Sequence, residues 1–151
     1  MKNLIAKSLL VVSVSMAVFT GCSKSDNTVV VPPNNNKGTS QANVNGIAIV
    51  PDSAYATASM NSIIFYKDFA STTDNKTINI VLTSLSVGSY TLTSSTPNSI
   101  KYTLGGTLLY TSQSGTVNIT ANNGTRISGN YNAMMNGSAP FSGSFTDLLI
   151  R

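Results

Sequence analysis

Catalysis needs a nucleophile, a base or ligating atoms brought together, and this chain of 151 residues has few of the usual ones. It contains no His, no Glu and no Trp, and its single Cys stands at position 22. Without His, the commonest general base near neutral pH and the commonest zinc ligand are both missing. Serines abound, but a serine nucleophile needs a base held against it. Lys67, Lys76 and Lys101 show no Ser-x-x-Lys spacing that would supply one. Glycosidase chemistry asks for two carboxylates across a cleft. Asp52, Asp68, Asp74 and Asp147 are the acids from residue 42 onward, each in a turn or at a strand edge by its neighbours. Asp68, Asp74 and Asn75 share a loop whose oxygens suit a hard cation, though their spacing matches no calcium motif. The sequence therefore names no catalytic residue, no metal site and no cofactor, and the expectation is a protein that is not an enzyme.

Binding chemistry is better represented. The chain has six tyrosines, whose ring faces stack on sugars and whose hydroxyls hydrogen-bond at a rim. Tyr90, Tyr102 and Tyr131 alternate with polar neighbours as core residues do. That leaves Tyr55, Tyr66 and Tyr110 as candidate ligand-binding positions. Beside them, Asp52-Ser53-Ala54 resembles the three-residue O-glycosylation acceptor of exported Bacteroidota proteins, with Ser53 as the modified residue; a plain turn is the alternative.

The N-terminal residues supply an address. Lys2 and Lys7 form a basic start, Leu9 to Phe19 an apolar run broken by two serines, and Phe19-Thr20-Gly21-Cys22 ends it. At about a dozen residues the run falls short of the roughly 20 needed to span a bilayer as a helix. The stretch resembles a bacterial lipobox, which implies cleavage before Cys22 and lipidation of that residue. Phe19 departs from the Leu usual three positions before the Cys. A retained anchor helix, or a buried helix with a free thiol, is the alternative. Lipidation matters physically because each buried CH₂ contributes about 0.8 kcal/mol, so several chains together hold firmly. This organisation gives a signal peptide over 1–21, a lipidated Cys22 with a flexible linker over 22–41, and a domain over 42–151. The linker is polar and low in complexity, with Pro32-Pro33 and Asn34-Asn35-Asn36. It would reach roughly 25 Å as a flexible chain.

Charge excludes one class of partner. Charged residues are 9% of the chain, against about 25% in ordinary soluble proteins. The formal charge of +4 falls to +2 without Lys2 and Lys7, with seven basic residues against five Asp. These are scattered singly, so the sequence offers no basic patch for nucleic acid. The balance of the composition is apolar residues with Ser, Thr, Asn and Gly, which suits a β-rich protein outside the cytoplasm. With one Cys no internal disulfide can form, so the core must hold the fold alone.

From Ala42 onward apolar residues recur at every second position, the period of half-buried strands. Val44, Ile47 and Ile49 read as one strand with a bulge or close approach at Gly46, ended by Pro51-Asp52-Ser53. Further strands are expected at 63–66, 78–82, 88–92, 100–104, 108–110, 117–121, 127–133 and 141–150. Turns fall at 71–75, Gly105-Gly106, Asn122-Asn123-Gly124 and Asn136-Gly137. No stretch of helical length has a 3.6-residue period. The expected fold is all-β: an antiparallel sandwich or flattened barrel of about eight or nine strands.

A series of blocks adds to this reading. Gly88-Ser89-Tyr90, Gly115-Thr116-Val117-Asn118-Ile119-Thr120, Ile127-Ser128-Gly129-Asn130-Tyr131 and Gly143-Ser144-Phe145 follow one another in order. The set resembles small Bacteroidota outer-membrane lipoproteins of an uncharacterised all-β family, with Tyr131 where Phe is usual. The resemblance implies a lipid-anchored β domain and supplies no site. The expected function is a structural, accessory or interaction module of the bacterial outer membrane, attached through Cys22. Its partner would be an envelope protein or, in the alternative reading, a glycan or small ligand held by the tyrosines.

Overall fold

The computed structural model describes residues 38–68 and 72–151. The residues expected to form a signal peptide, Cys22 and the expected linker up to residue 37 lie outside the described residues. The fold is all-β, ten antiparallel strands in one curled sheet that forms a half-barrel. They are β1 (Thr39–Val44), β2 (Ile47–Ile49), β3 (Ser53–Thr57), β4 (Ser62–Lys67), β5 (Lys76–Val81), β6 (Gly88–Thr93), β7 (Ser99–Leu104), β8 (Thr107–Asn122), β9 (Arg126–Met135) and β10 (Pro140–Leu149). Only short 3₁₀ turns interrupt them among the described residues.

The strand count differs from expectation at both ends of the first segment. Val44 and Ile49 do not share a strand, because Asn45 and Gly46 take φ of 51° and 85° and turn the chain back. Val44 pairs directly with Ile47, so this is a two-residue hairpin of the type that needs positive φ at both central positions. β1 also begins at Thr39, so residues 39–41, read above as linker, belong to the sheet. Ser53, read as part of a turn, opens β3. Conversely, the segments at 108–110 and 117–121 are one 16-residue strand.

That long strand organises the sheet. Its first half pairs with β7, Thr111 opposite Lys101 and Thr107 opposite Leu104. Its second half pairs with β6 along the same edge and with β9 along the other. β8 therefore belongs to both halves of the curl, β2-β1-β10-β9-β8-β6 on one side and β3-β4-β5-β7-β8 on the other. A register shift between Ser112 and Ser114 marks where it passes between them, and such irregularities bend a strand. Ser112 is buried, and its hydroxyl accepts the Ile100 N–H at 2.9 Å, so the bend leaves that amide satisfied.

The core fills the inside of the curl. Phe65 on β4 lies 6.0 Å from Tyr131 on β9 and 6.1 Å from Phe145 on β10, ring centre to ring centre. Tyr102 on β7 meets Phe141 on β10 edge to face at 5.5 Å. Around these rings Ile63, Ile80, Leu92, Ile100, Met135 and Leu148 are fully buried. Each such side chain contributes roughly 1.5–3 kcal/mol by leaving water, which lets a disulfide-free domain hold together. The far edge is tied in as well. Ala56 on β3 forms a parallel bridge with Ile150, the Arg151 N–H donates to the Ala56 carbonyl at 2.9 Å, and the Ala58 N–H donates to the Arg151 carbonyl at 3.0 Å.

Candidate functional site

Strand alternation sorts the β3-β4-β5-β7 half into two faces. Ala56, Ile63, Phe65, Ile78, Ile80, Ile100 and Tyr102 point inward and are buried. The residues between them point outward in two cross-strand rows. One row runs Tyr55, Ile64, Asn79, Lys101, Thr111, and the next runs Ser53, Tyr66, Thr77, Thr103, Leu108. This outer face brings Ser53, Tyr55 and Tyr66 together, with Ser53 directly opposite Tyr66.

Both tyrosines are held in place. The Arg151 guanidinium lies 4.4 Å from the centre of the Tyr55 ring, a cation–π contact that covers one face of it. The Tyr66 hydroxyl accepts a hydrogen bond from Asn75 Nδ2 at 2.8 Å. Within the first row, Asn79 Oδ1 is buried and has no hydrogen-bond partner among the described residues. Lys101 is exposed at the centre of the face. Half-buried rings flanked by hydroxyls and an amide can present stacking surface and hydrogen-bonding groups to one ligand at the same time.

Tyr110 does not belong to this face. Its ring packs 6.0 Å from Tyr102 and 5.7 Å from Phe141, against the core. The irregularity between Tyr102 and Thr103 explains the difference, because it leaves Leu109 without a partner on β7 and turns Tyr110 inward. Burial, with the Tyr110 phenol second, raises the pKa of the Tyr102 hydroxyl above its ordinary value. The core assignment of Tyr102 and Tyr131 stands, with exposures of 5% and 3%.

The aspartates are spread over the surface. Asp52 pairs with Lys67 at 2.6 Å and accepts the Asp68 N–H at 2.8 Å, which fixes the strand entry at Ser53. Asp147, on β10, pairs with Arg126 on β9 at 3.1 Å. Among the described residues no three of His, Cys, Asp or Glu gather as metal ligands would. The Arg126–Asp147 pair was not singled out by the sequence reading. Its signal was a break in alternation, since Phe141, Gly143 and Phe145 are followed by Leu148 rather than by an inward residue at 147.

A family model described as a domain of unknown function (DUF6252) matches residues 36–146. The chain belongs to this family. The DUF6252 match takes in the whole outer face from Ser53 to Leu108 and both of the final glycine-aromatic blocks, and it ends one residue before Asp147. No curated protein and no solved structure matches the chain.

Proposed function

We propose that this DUF6252 protein is a lipid-anchored, non-enzymatic module of the bacterial outer membrane, with a structural, accessory or interaction role. The observation that carries the reading is Cys22 itself, the only Cys, placed after a basic start and a short apolar run that ends in Thr20-Gly21. A thiol in that setting is suited to carry acyl chains, and several chains give durable membrane attachment where one gives marginal attachment. The β domain begins at Thr39, which leaves a polar segment to act as the tether. Cys22→Ala tests the anchor. Membrane fractionation should find the variant released and unlabelled by a fatty-acid probe, and unchanged membrane association would overturn the proposal.

A second reading, glycan binding, is favoured by one observation: Tyr55 and Tyr66 lie on the same outer face of neighbouring strands. Sugar rings stack on such faces while hydroxyl and amide groups take their OH groups. A glycan array probed with the protein and with Tyr55→Ala/Tyr66→Ala separates the readings. Binding lost in the double variant supports the glycan reading, and no binding by the native protein removes it.

A further inference from the structure

The bulge in β10 builds a second site, on β9 and β10 rather than on the tyrosine strands β3 and β4. Phe145 pairs with Gly129 and Leu148 with Ile127, so Thr146 and Asp147 together stand opposite Ser128 alone. Asp147 takes φ of 60°, a left-handed conformation that non-glycine residues adopt at a cost. The Ser128 hydroxyl accepts the displaced Asp147 N–H at 2.9 Å. A bulge of this kind re-aims a side chain, and here it sets the Asp147 carboxylate beside the Arg126 guanidinium, Nη1 to Oδ2 at 3.1 Å. Arg126 Nη1 also donates to the Asp147 carbonyl at 2.7 Å. An exposed ion pair returns little stability, so stability does not explain why a strained conformation is spent on it. Strain of this sort accumulates at functional positions.

The pair borders an open cleft of about 290 Å³ with Val87, Asn123 and Ser128 on its walls. Every Arg126 bond named above uses Nη1, so Nε and Nη2 keep a free donor edge of the geometry that grips a carboxylate in two places. Asp147 Oδ1 is likewise unengaged, on a side chain 61% exposed. Asn123 Oδ1 takes the Thr125 and Arg126 N–H groups, which leaves its Nδ2 free to donate. A simple anion in this cleft would meet the Asp147 charge, and a simple cation would meet Arg126. A ligand carrying both charged groups on one carbon offsets each.

We propose that this cleft binds an α-amino-acid zwitterion, its carboxylate on the free edge of Arg126 and its ammonium on Asp147, with Val87 against its side chain. Two sources share that chemistry, a free amino acid and the unlinked amino-acid end of a cell-wall peptide. The cell-wall source rests on the envelope location proposed above, whereas the site does not.

The test is a titration of the full ¹⁵N-labelled chain with alanine, followed at the Arg126 Nε–H and the Asp147 backbone amide. Saturable shifts in the millimolar range are expected, with at least tenfold weaker response to N-acetylalanine and to alaninamide. Asp147→Asn keeps a residue that tolerates the left-handed backbone. It should bind alanine no better than N-acetylalanine. Arg126→Lys should weaken alanine binding while the rest of the spectrum stays that of the folded domain. No saturable shift, or equal response to alanine and both blocked forms, overturns the site. Co-sedimentation with purified cell-wall sacculi, competed by alanine, assigns the peptide source; saturable alanine shifts without co-sedimentation assign the free amino acid.

Discussion

Tyr131 on β9 stands directly opposite Gly143 on β10, and its ring fills the space that a side chain at 143 would need. A Cβ on Gly143 would lie 2.5 Å from the Tyr131 hydroxyl oxygen and 2.6 Å from Cζ. The arrangement repeats in reverse two pairs along, where Gly129 on β9 faces Phe145 on β10 and a Cβ would lie 2.6 Å from Phe145 Cζ. Aromatic rings laid over facing glycines pin strand register. This explains physically why Ile127-Ser128-Gly129-Asn130-Tyr131 and Gly143-Ser144-Phe145 stand out in the sequence.

Gly143→Ala is therefore expected to destabilise by about 3 kcal/mol, in the range of overpacked cores. The new methyl would collide with the Gln41 carbonyl as well as with the ring, and backbone gives way less easily than a side chain end. Urea unfolding measures it. A loss under about 0.5 kcal/mol, the size of an ordinary surface change, would mean that the rings do not occupy that space.

Tyr131→Phe should act in the other direction. The Tyr131 hydroxyl is buried without a hydrogen-bond partner among the described residues, and an unsatisfied buried polar group costs about 1–3 kcal/mol. Removing it should stabilise the domain by about 1 kcal/mol at neutral pH in the same assay, and a loss of stability would contradict the account.

Alkaline titration gives the same residue a second readout. Burial pushes the Tyr131 hydroxyl well above the ordinary phenol value. Below the unfolded pKa near 10 both states are protonated and the group contributes no pH dependence. As pH rises past that value the unfolded chain releases the proton and the folded one keeps it, so stability falls by about 1.4 kcal/mol per pH unit from this residue. Tyr131→Phe should flatten the unfolding-versus-pH curve above pH 10 by about that slope, leaving a remainder from Tyr102, which shifts the same way. An unchanged slope would show that Tyr131 ionises as freely folded as unfolded.

The seam between β3 and the chain's last described residues is open to a backbone test. Arg151→Pro removes the N–H that the Ala56 carbonyl accepts, together with the guanidinium over Tyr55. A cost of about 1–2 kcal/mol is expected from one hydrogen bond and one cation–π contact. Hydrogen exchange at the Ala58 amide, which donates to the Arg151 carbonyl, should accelerate. Unaltered protection there would mean that the edge is closed by something else.

Much of this architecture was legible because its period is two residues throughout. Ile78, Ile80 and Ile100, Tyr102 announce their strands, and Gly105-Gly106, Asn122-Asn123-Gly124 and Asn136-Gly137 mark real turns, with positive φ at Gly105, Gly106, Gly124 and Gly137. Asn45-Gly46 carries an equally strong hairpin signal, but the three-residue β2 beyond it is too short to show alternation of its own. β3 was hidden for another reason: Ala54 and Ala56 face the core with side chains too small to register as an apolar stripe. Irregular registers are the remaining gap. One extra residue in β8 sends Tyr110 inward, and one in β10 brings Asp147 to Arg126; both depend on a partner strand distant in sequence.

The envelope account depends most on the start of the mature chain. Protein extracted from membranes, digested and analysed by mass spectrometry for its N-terminal peptide, tests it directly. The account predicts a peptide beginning at Cys22 and carrying the added mass of acyl chains. A mature N-terminus at any other residue, or an unmodified Cys22, would contradict it.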